Sequence, residues 1–307
     1  MSAREVAVPE GLDGLRLDQA LARLFGLSRT AAARLVDDGR VLLDGVGVDR
    51  ATPVLAGSAV AVELPEVAPP TRPPQPVDGL RVVHLDDEVV VVDKPVGVAA
   101  HASPGWTGPT VVAGLAAAGV TLAASGAAER EGVVHRLDVG TSGLMVLART
   151  DRAYSSLKQQ FRERTVVKRY AAVVQGHPDP SRGTVDAPLD RHPRRSGLRA
   201  VVAGGRPSVT HYDTAEAFPA ASLLDVDLET GRTHQIRVHL ASVRHPCVGD
   251  LAYGADPVLA ARLGLARQWL HAAHLEVEHP ATGARAQFGS EPPEDLAEAL
   301  RRLRAAA

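Results

Sequence analysis

The amino-acid sequence predicts an α+β protein: a large domain built on a mostly antiparallel mixed sheet, preceded by a small, separate α/β module. Three observations carry this. Runs rich in β-branched residues follow one another without an intervening helix, as in LRVVHLDDEVVVVDK (80–94), SVTHYDTAEAF (208–218) and SLLDVDLET (222–230), an order that fits α+β better than alternating α/β architecture. The stretch PEVAPPTRPPQP (65–76) has too many prolines to continue a helix or a central strand, and reads as a stiff linker. With 307 residues, 45% of them hydrophobic, the chain can bury one large core and still carry an appendage. The expected division is a module over 1–64, a Pro-rich linker over 65–78 and a large domain over 79–307.

Each element has its own signal. In LRLDQALARLFG (15–26), Leu17, Leu21 and Leu24 recur at helical spacing and Gly26 is the expected stop. Ser28 is the expected N-cap of RTAAARLVDDG (29–39), with Gly39 closing that helix. VLLDG (41–45) and VAVELP (60–65) read as short strands forming a hairpin. Beyond the linker, residues 80–94 read as a hairpin turned at their acidic centre, with further strands at GVVHRLD (132–138), LMVLART (144–150), KRYAAVVQG (168–176), 208–218 and 222–230. Helices are expected near TVVAGLAAAG (110–119), RAYSSLKQQFRER (152–164) and DPVLAARLG (256–264).

Charge is uneven. The chain totals −2, yet residues 130–210 hold 15 basic and 7 acidic side chains inside an otherwise acidic sequence, a pattern expected of a local polyanion-binding face. A single cysteine, Cys247, excludes an internal disulfide and a Cys-based zinc site. No apolar run reaches the roughly 18 residues of a membrane helix, and the start lacks a signal-peptide pattern, so a cytoplasmic protein is expected.

Three segments concentrate reactive side chains. HRLDVGTSG (135–143) places an imidazole, a guanidinium and a carboxylate before a Gly-flanked turn; if extended, it points Arg136 and Asp138 to one face, His135 and Leu137 to the other. A surface Arg and Asp beside a turn would look the same by spacing alone. TGRTHQIRVHLA (230–241) reads as a helix capped by Thr233, with Ile236, Leu240 and Val243 in one stripe and Arg237 beside it. His234 and His239 are not at the i, i+4 spacing of a helical zinc pair. KRYAAVVQG puts Tyr170 on a strand after a basic helix taken to include Arg162, Arg164 and Lys168, where an aromatic can stack on a base or simply fill a core. No Gly-rich nucleotide loop and no metal motif is present, so neither a cofactor nor a metal is expected.

Six segments in order, VVDKPVGVAAH (91–101), GVVHRLDVGTSGLMVLART (132–150), KRYAAVVQG, ETGRTHQIRVHLA (229–241), HPCVGDLAYG (245–254) and LHAAHLEVEHP (270–280), resemble the successive motifs of the RluA family of pseudouridine synthases. RLDQALARLFGLSRTAAARLVDDGRVLLDG (16–45) resembles the RNA-binding domain first known from ribosomal protein S-four. Departures are small: Asp93 stands where Asn is common, and Cys247 where an apolar residue is usual.

The resemblance implies the pseudouridine synthase fold and an isomerase that detaches uracil from ribose at N1 and rejoins it through C5 within RNA, without cofactor. It implies Asp138 as the catalytic aspartate, Arg237 as its partner keeping it ionised, and Tyr170 as the residue that stacks on uracil and takes the C5 proton. Arg136 is expected to enter the RNA stack vacated by the flipped base, and Arg29 and Lys168 to contact RNA. The expected partner is RNA, above all 23S rRNA or a large-subunit assembly intermediate as in the RluD-like branch, with a monomeric enzyme. A tRNA-directed synthase and a non-catalytic ribosome-assembly protein are the alternatives, and a carboxylate glycosidase a remote third.

Overall fold

The computed structural model describes residues 2–25, 27, 29–64, 74–103, 105–125 and 130–306. The first 64 residues form β1 (Ser2–Ala7), α1 (Leu17–Leu24), α2 (Arg29–Asp37), β2 (Val41–Leu43) and β3 (Ala59–Leu64). The three strands make one antiparallel sheet in the order β1-β3-β2, so the expected hairpin partners pair and gain an unforeseen third strand. Leu17, Ala20 and Leu21 of α1 and Ala32, Leu35 and Val36 of α2 bury the apolar faces read from their spacing, against Val41, Val60 and Val62. Gly39 closes α2 with φ of 71°. The expected stop at Gly26, the cap at Ser28 and the linker residues 65–73 lie outside the described residues.

The large region continues with β4 (Arg81–Leu85), β5 (Val89–Lys94), α3 (Val111–Ala117), β6 (Ser142–Ala148), α4 (Asp151–Glu163) and β7 (Val167–Gln175). Then come β8 (Arg182–Asp186), β9 (Leu189–Arg191), β10 (Arg199–Val201), β11 (Val209–Phe218), β12 (Ala221–Leu228) and α5 (Gln235–Ser242). The chain ends with α6 (Pro257–Leu263), β13 (Leu270–Glu278), β14 (Arg285–Gly289) and α7 (Glu294–Ala305). Thr110, Thr150 and Asp256 cap α3, α4 and α6 through their side chains, which is why those helices start where they do. Among the described residues no helix is long and apolar enough to cross a membrane.

A nine-stranded sheet organises this region, ordered β4-β5-β6-β13-β7-β12-β11-β8, with β14 also on β13. Its pairs are antiparallel except β6 with β13, where Ser142 faces His271 and Gly143 faces Ala272. Both faces of the central strands are covered. Val90, Val92, Met145 and Leu147 belong to the core shared with α3, whereas Val89, Val91, Leu144 and Val146 belong to the core shared with α4, which explains the unbroken apolar runs in β5 and β6. Trp269 is fully buried and donates its indole N–H to the Leu296 carbonyl, fixing α7 to the sheet.

Two expectations need correction. Residues 132–138 are not a strand; only Val133 bridges to Leu147. The chain leaves the sheet because the His135 ring takes over as partner, accepting the Val146 N–H at 3.0 Å through Nε2. Thr233 does not cap α5 either. His234 holds the cap position in a left-handed conformation (φ 59°) with no side-chain cap bond, because the preceding turn folds around the buried Gln235 carboxamide, which accepts from Arg232 N and Thr230 Oγ1. Ile236 and Leu240 are buried as the stripe predicts, but Val243 falls beyond the helix and is exposed.

Candidate active site

The cleft lies where the one parallel strand pair begins. The strap 135–141 runs up to the start of β6, next to the start of β13, and Tyr170 sits across from Ala272 in the middle of β7. Gly143 makes this crossing possible: its φ is 114°, and a Cβ there would lie 2.3 Å from the Ala272 carbonyl oxygen. Behind the strap, Arg267 donates to the Gly140 carbonyl at 3.1 Å and holds Asp295 of α7 with two bonds of 2.7 and 2.9 Å. Gln268 donates to Thr141 Oγ1 at 3.2 Å, and Thr141 N donates to the Asp138 carbonyl at 3.0 Å. The turn after Asp138 is thereby fixed from several sides.

Asp138, Tyr170 and Arg237, far apart in sequence, line one cleft together with Arg136 and His234. Arg237, 9% exposed, reaches Asp138 Oδ2 with Nη1 at 3.3 Å. Its other nitrogens grip Asp250, Nε to Oδ2 at 2.7 Å and Nη2 to Oδ1 at 2.9 Å, and its guanidinium carbon lies 4.9 Å from the centre of the Tyr253 ring. Burial works against the Arg237 charge, but Asp250 and then Asp138 outweigh it and hold the guanidinium protonated. His234 approaches the same Oδ2 with Nε2 at 3.9 Å, while its Nδ1 is bonded to the Tyr253 hydroxyl at 2.7 Å.

Tyr170 is 8% exposed. Burial, reinforced by the Asp138 charge, pushes its hydroxyl well above the ordinary phenol range, so it stays protonated at neutral pH. Arg136 is exposed at the cleft rim, and Leu137 is buried in the core. His135 stacks on Phe161, ring centres 4.7 Å apart, and burial pushes it down to about 3. Beneath the strap, Lys94 is completely buried and donates to the carbonyls of Pro95 and Val98 at 3.0 and 2.8 Å; burial, opposed by Asp138, brings it down to about 7.

Two expected RNA contacts lie elsewhere. Lys168 belongs to strand β7 and not to the basic helix, which ends at Glu163. It does not line the cleft; its ammonium sits 5.8 Å from the centre of the Phe161 ring, and burial, then Arg164, bring it down to about 8. Arg29 opens α2, with its side chain 63% exposed and 3.7 Å from Asp18. The sequence reading assigned no role to Asp250, His234, Tyr253 or Arg267. The first three fall within the motif segments 229–241 and 245–254, which was the available signal. Asp250 is the second carboxylate of the site, but a buried carboxylate held bidentate by Arg237 does not serve as the exposed acid or base a glycosidase needs. Among the described residues no group of three or more His, Cys, Asp or Glu is placed to hold a metal ion.

Residues 88–242 match the family described as RNA pseudouridylate synthase. The chain belongs to that family. Residues 15–60 match the S4 domain. An uncharacterized RNA pseudouridine synthase of Mycobacterium bovis is 58% identical over 305 residues, 99% of both chains. The ribosomal large subunit pseudouridine synthase D of Xanthomonas campestris is 41% identical, covering 99% of this chain and 93% of its own. Among solved structures, human RNA pseudouridylate synthase domain containing 1 matches with a TM-score of 0.58 and 27% identity, over 72% of this chain and 87% of its own. This synthase is therefore an isomerase converting uridine to pseudouridine in RNA, and its mixed sheet with a small N-terminal S4 module is the architecture the motifs imply.

Proposed function

We propose that this synthase isomerises uridines of large-subunit ribosomal RNA, with Asp138 as the covalent catalyst. The observation that carries the site assignment is one carboxylate at the cleft, 14% exposed and held through Oδ2 by an arginine that Asp250 locks in place. A carboxylate positioned in this way attacks an electrophilic sugar carbon and later departs, splitting one hard step into two. Arg237 keeps it charged and oriented. Tyr170 packs against the flipped uracil, excludes water and takes the C5 proton after rejoining, the role the family resemblance implies. Arg136, at the rim, fills the gap that the flipped base leaves in the RNA stack.

The substrate assignment rests on full-length likeness to synthases named for the large ribosomal subunit. The S4 module supports it, with Arg29 as its phosphate contact, and Lys168 on β7 is a second contact beyond the cleft. The test is to map pseudouridine by carbodiimide modification and reverse transcription in rRNA and tRNA from cells with and without the gene. Loss of stops at large-subunit uridines, restored by wild type but not by Asp138→Asn, is the expected result. Loss confined to tRNA would overturn the substrate, and full rescue by Asp138→Asn would point to an assembly role.

A further inference from the structure

A carboxylate that attacks a sugar carbon has to stand within about 0.5 Å of its working place before the substrate arrives. The bond to Arg237 does not by itself set that place. Arg237 grips Asp250 with two bonds of 2.7 and 2.9 Å but meets Asp138 through a longer one of 3.3 Å. The position of Asp138 therefore depends on the strap that carries it. After Asp138 the strap accepts from the Gly97 N–H at the Val139 carbonyl (2.9 Å), from Arg267 Nη1 at the Gly140 carbonyl (3.1 Å) and from the Gln268 amide at Thr141 Oγ1 (3.2 Å).

Arg267 links this strap to the rest of the site. Its side chain is buried just before β13; Nη1 also donates to Ser142 Oγ at 3.3 Å, while Nε and Nη2 hold Asp295, in the first turn of α7, at 2.7 and 2.9 Å. Ser142 Oγ is bonded in turn to Nδ1 of the buried His271 at 3.0 Å, and His271 Nε2 to the Ser290 carbonyl at 3.0 Å. A carbonyl only accepts, so the His271 proton is on Nε2, Nδ1 accepts from the Ser142 hydroxyl, and Ser142 Oγ accepts from Arg267. Burial keeps that imidazole below its ordinary value, which preserves this direction. The Arg267 backbone touches the other half of the site. Gly249 has φ of 84° and lies so close that a Cβ there would collide with the Arg267 carbonyl, and the Trp269 N–H donates to the Val248 carbonyl at 2.8 Å. Asp250, the anchor of Arg237, is the next residue.

We propose that Arg267 is a positioning residue for the reaction: its guanidinium, braced by Asp295 of α7, holds the Asp138 strap in register with the Asp250 and Arg237 pair. This role rests on the assignment of Asp138 as the reacting carboxylate. Arg267 touches neither Asp138 nor the cleft, and acts through the Gly140 carbonyl two residues on. Arginine suits the task because its rigid fork presents donors along separate edges, one to the strap and one to the carboxylate; a lysine ammonium is a point charge and cannot span both. Asp295 is 43% exposed while Arg267 is 8% exposed, so the clamp is anchored at the surface and works in the interior. The C-terminal helix, outside the cleft, thereby bears on the rate of the chemical step.

The experiment is single-turnover kinetics at rising enzyme excess on total RNA from cells lacking the gene, read at the uridines that the wild type converts. Arg267→Met, Arg267→Lys, Asp295→Asn and the double variant Arg267→Met/Asp295→Asn are compared with wild type and with Asp138→Asn. A merely structural loss lowers the folded fraction, which raises the half-saturating enzyme concentration and leaves the limiting rate unchanged. Misplacing Asp138 instead lowers the limiting rate, by about 10² in Arg267→Met and nearly as much in Arg267→Lys, with half-saturation within about twofold. Asp295→Asn, at the exposed end of the clamp, keeps the fold and slows the limiting rate by roughly three- to tenfold. The double variant is no slower than Arg267→Met, because both changes act through one bridge. Wild-type limiting rates in Arg267→Lys and Asp295→Asn beside an inactive Asp138→Asn would overturn the role of Arg267 alone, as would effects of Arg267→Met and Asp295→Asn that simply multiply. An Asp138→Asn enzyme as fast as wild type would overturn the assignment of Asp138 and this role with it.

Discussion

Arg237 and Arg29 are both cations in an RNA enzyme, yet the fold treats them in opposite ways. Arg237 is buried beside two carboxylates and an aromatic ring, held by Asp138 of the strap and by Asp250 and Tyr253 of the segment after α5. Arg29 stands at the start of a helix, mostly in solvent, 3.7 Å from an Asp18 carboxylate already held by Arg16 at 3.1 Å. The first arrangement suits chemistry, where charge has to be in place before the substrate arrives. The second suits backbone recognition, where a hydrated, mobile cation gives up little on meeting a phosphate. Changes in the cleft should therefore appear in the rate and in folding, and changes in the N-terminal module in affinity and its salt dependence.

The largest effect that breaks this contrast is expected from Asp250→Ala. It leaves Arg237 charged, buried and short of its bidentate partner, which destabilises the fold by roughly 3 to 5 kcal/mol. Arg237 also loses the constraint that aims Nη1 at Asp138, so single-turnover rates fall while RNA affinity at low salt is kept. Urea unfolding and single-turnover assays measure both. A variant as stable and as fast as wild type would mean that Asp138 needs no preorganised partner.

A smaller effect sharpens the same side of the comparison. His135, on the strap that carries Asp138, is pushed down from 6.5 to about 3 by burial. Between those values the unfolded chain binds the proton and the folded one does not, so stability falls as pH drops through this window. This term is worth about 2 kcal/mol between pH 7 and pH 5. His135→Gln keeps an acceptor for the Val146 N–H but removes the titration, and a flatter plot of unfolding free energy against pH is the expected outcome. An unchanged slope would place the strap's pH sensitivity elsewhere.

Most of the large sheet was legible because its strands announce themselves: β5 and β6 are apolar on both faces, and the periodicity of apolar residues placed α3, α4 and α6. The meeting of Asp138, Tyr170 and Arg237 in one cleft was legible only through motif resemblance, since spacing alone left Asp138 indistinguishable from a surface carboxylate. What stayed hidden was relational. No local pattern reveals that a histidine ring replaces a strand partner at 132–138, or that Gln235 folds the turn that displaces the expected Thr233 cap. Asp250 was hidden for the same reason, because its meaning lies in a guanidinium thirteen positions earlier and in the carboxylate beyond it. The strands β1 and β14 are short or edge elements whose polar alternation resembles loop sequence.

The smallest expected effect tests the other side of the comparison. Arg29→Ala removes one exposed cation from the S4 module and leaves Asp18 with Arg16. If Arg29 meets a phosphate, affinity for rRNA falls a few fold and the slope of log K against log salt becomes shallower by about one. The single-turnover rate at saturating enzyme should not change, because nothing in the cleft has moved. Titration of labelled rRNA fragments at several salt concentrations reads the slope directly. An unchanged slope would remove Arg29 from the RNA contact, whereas a lowered saturating rate would show that the module helps to place the uridine at Asp138, and the division of labour between the two arginines would fail.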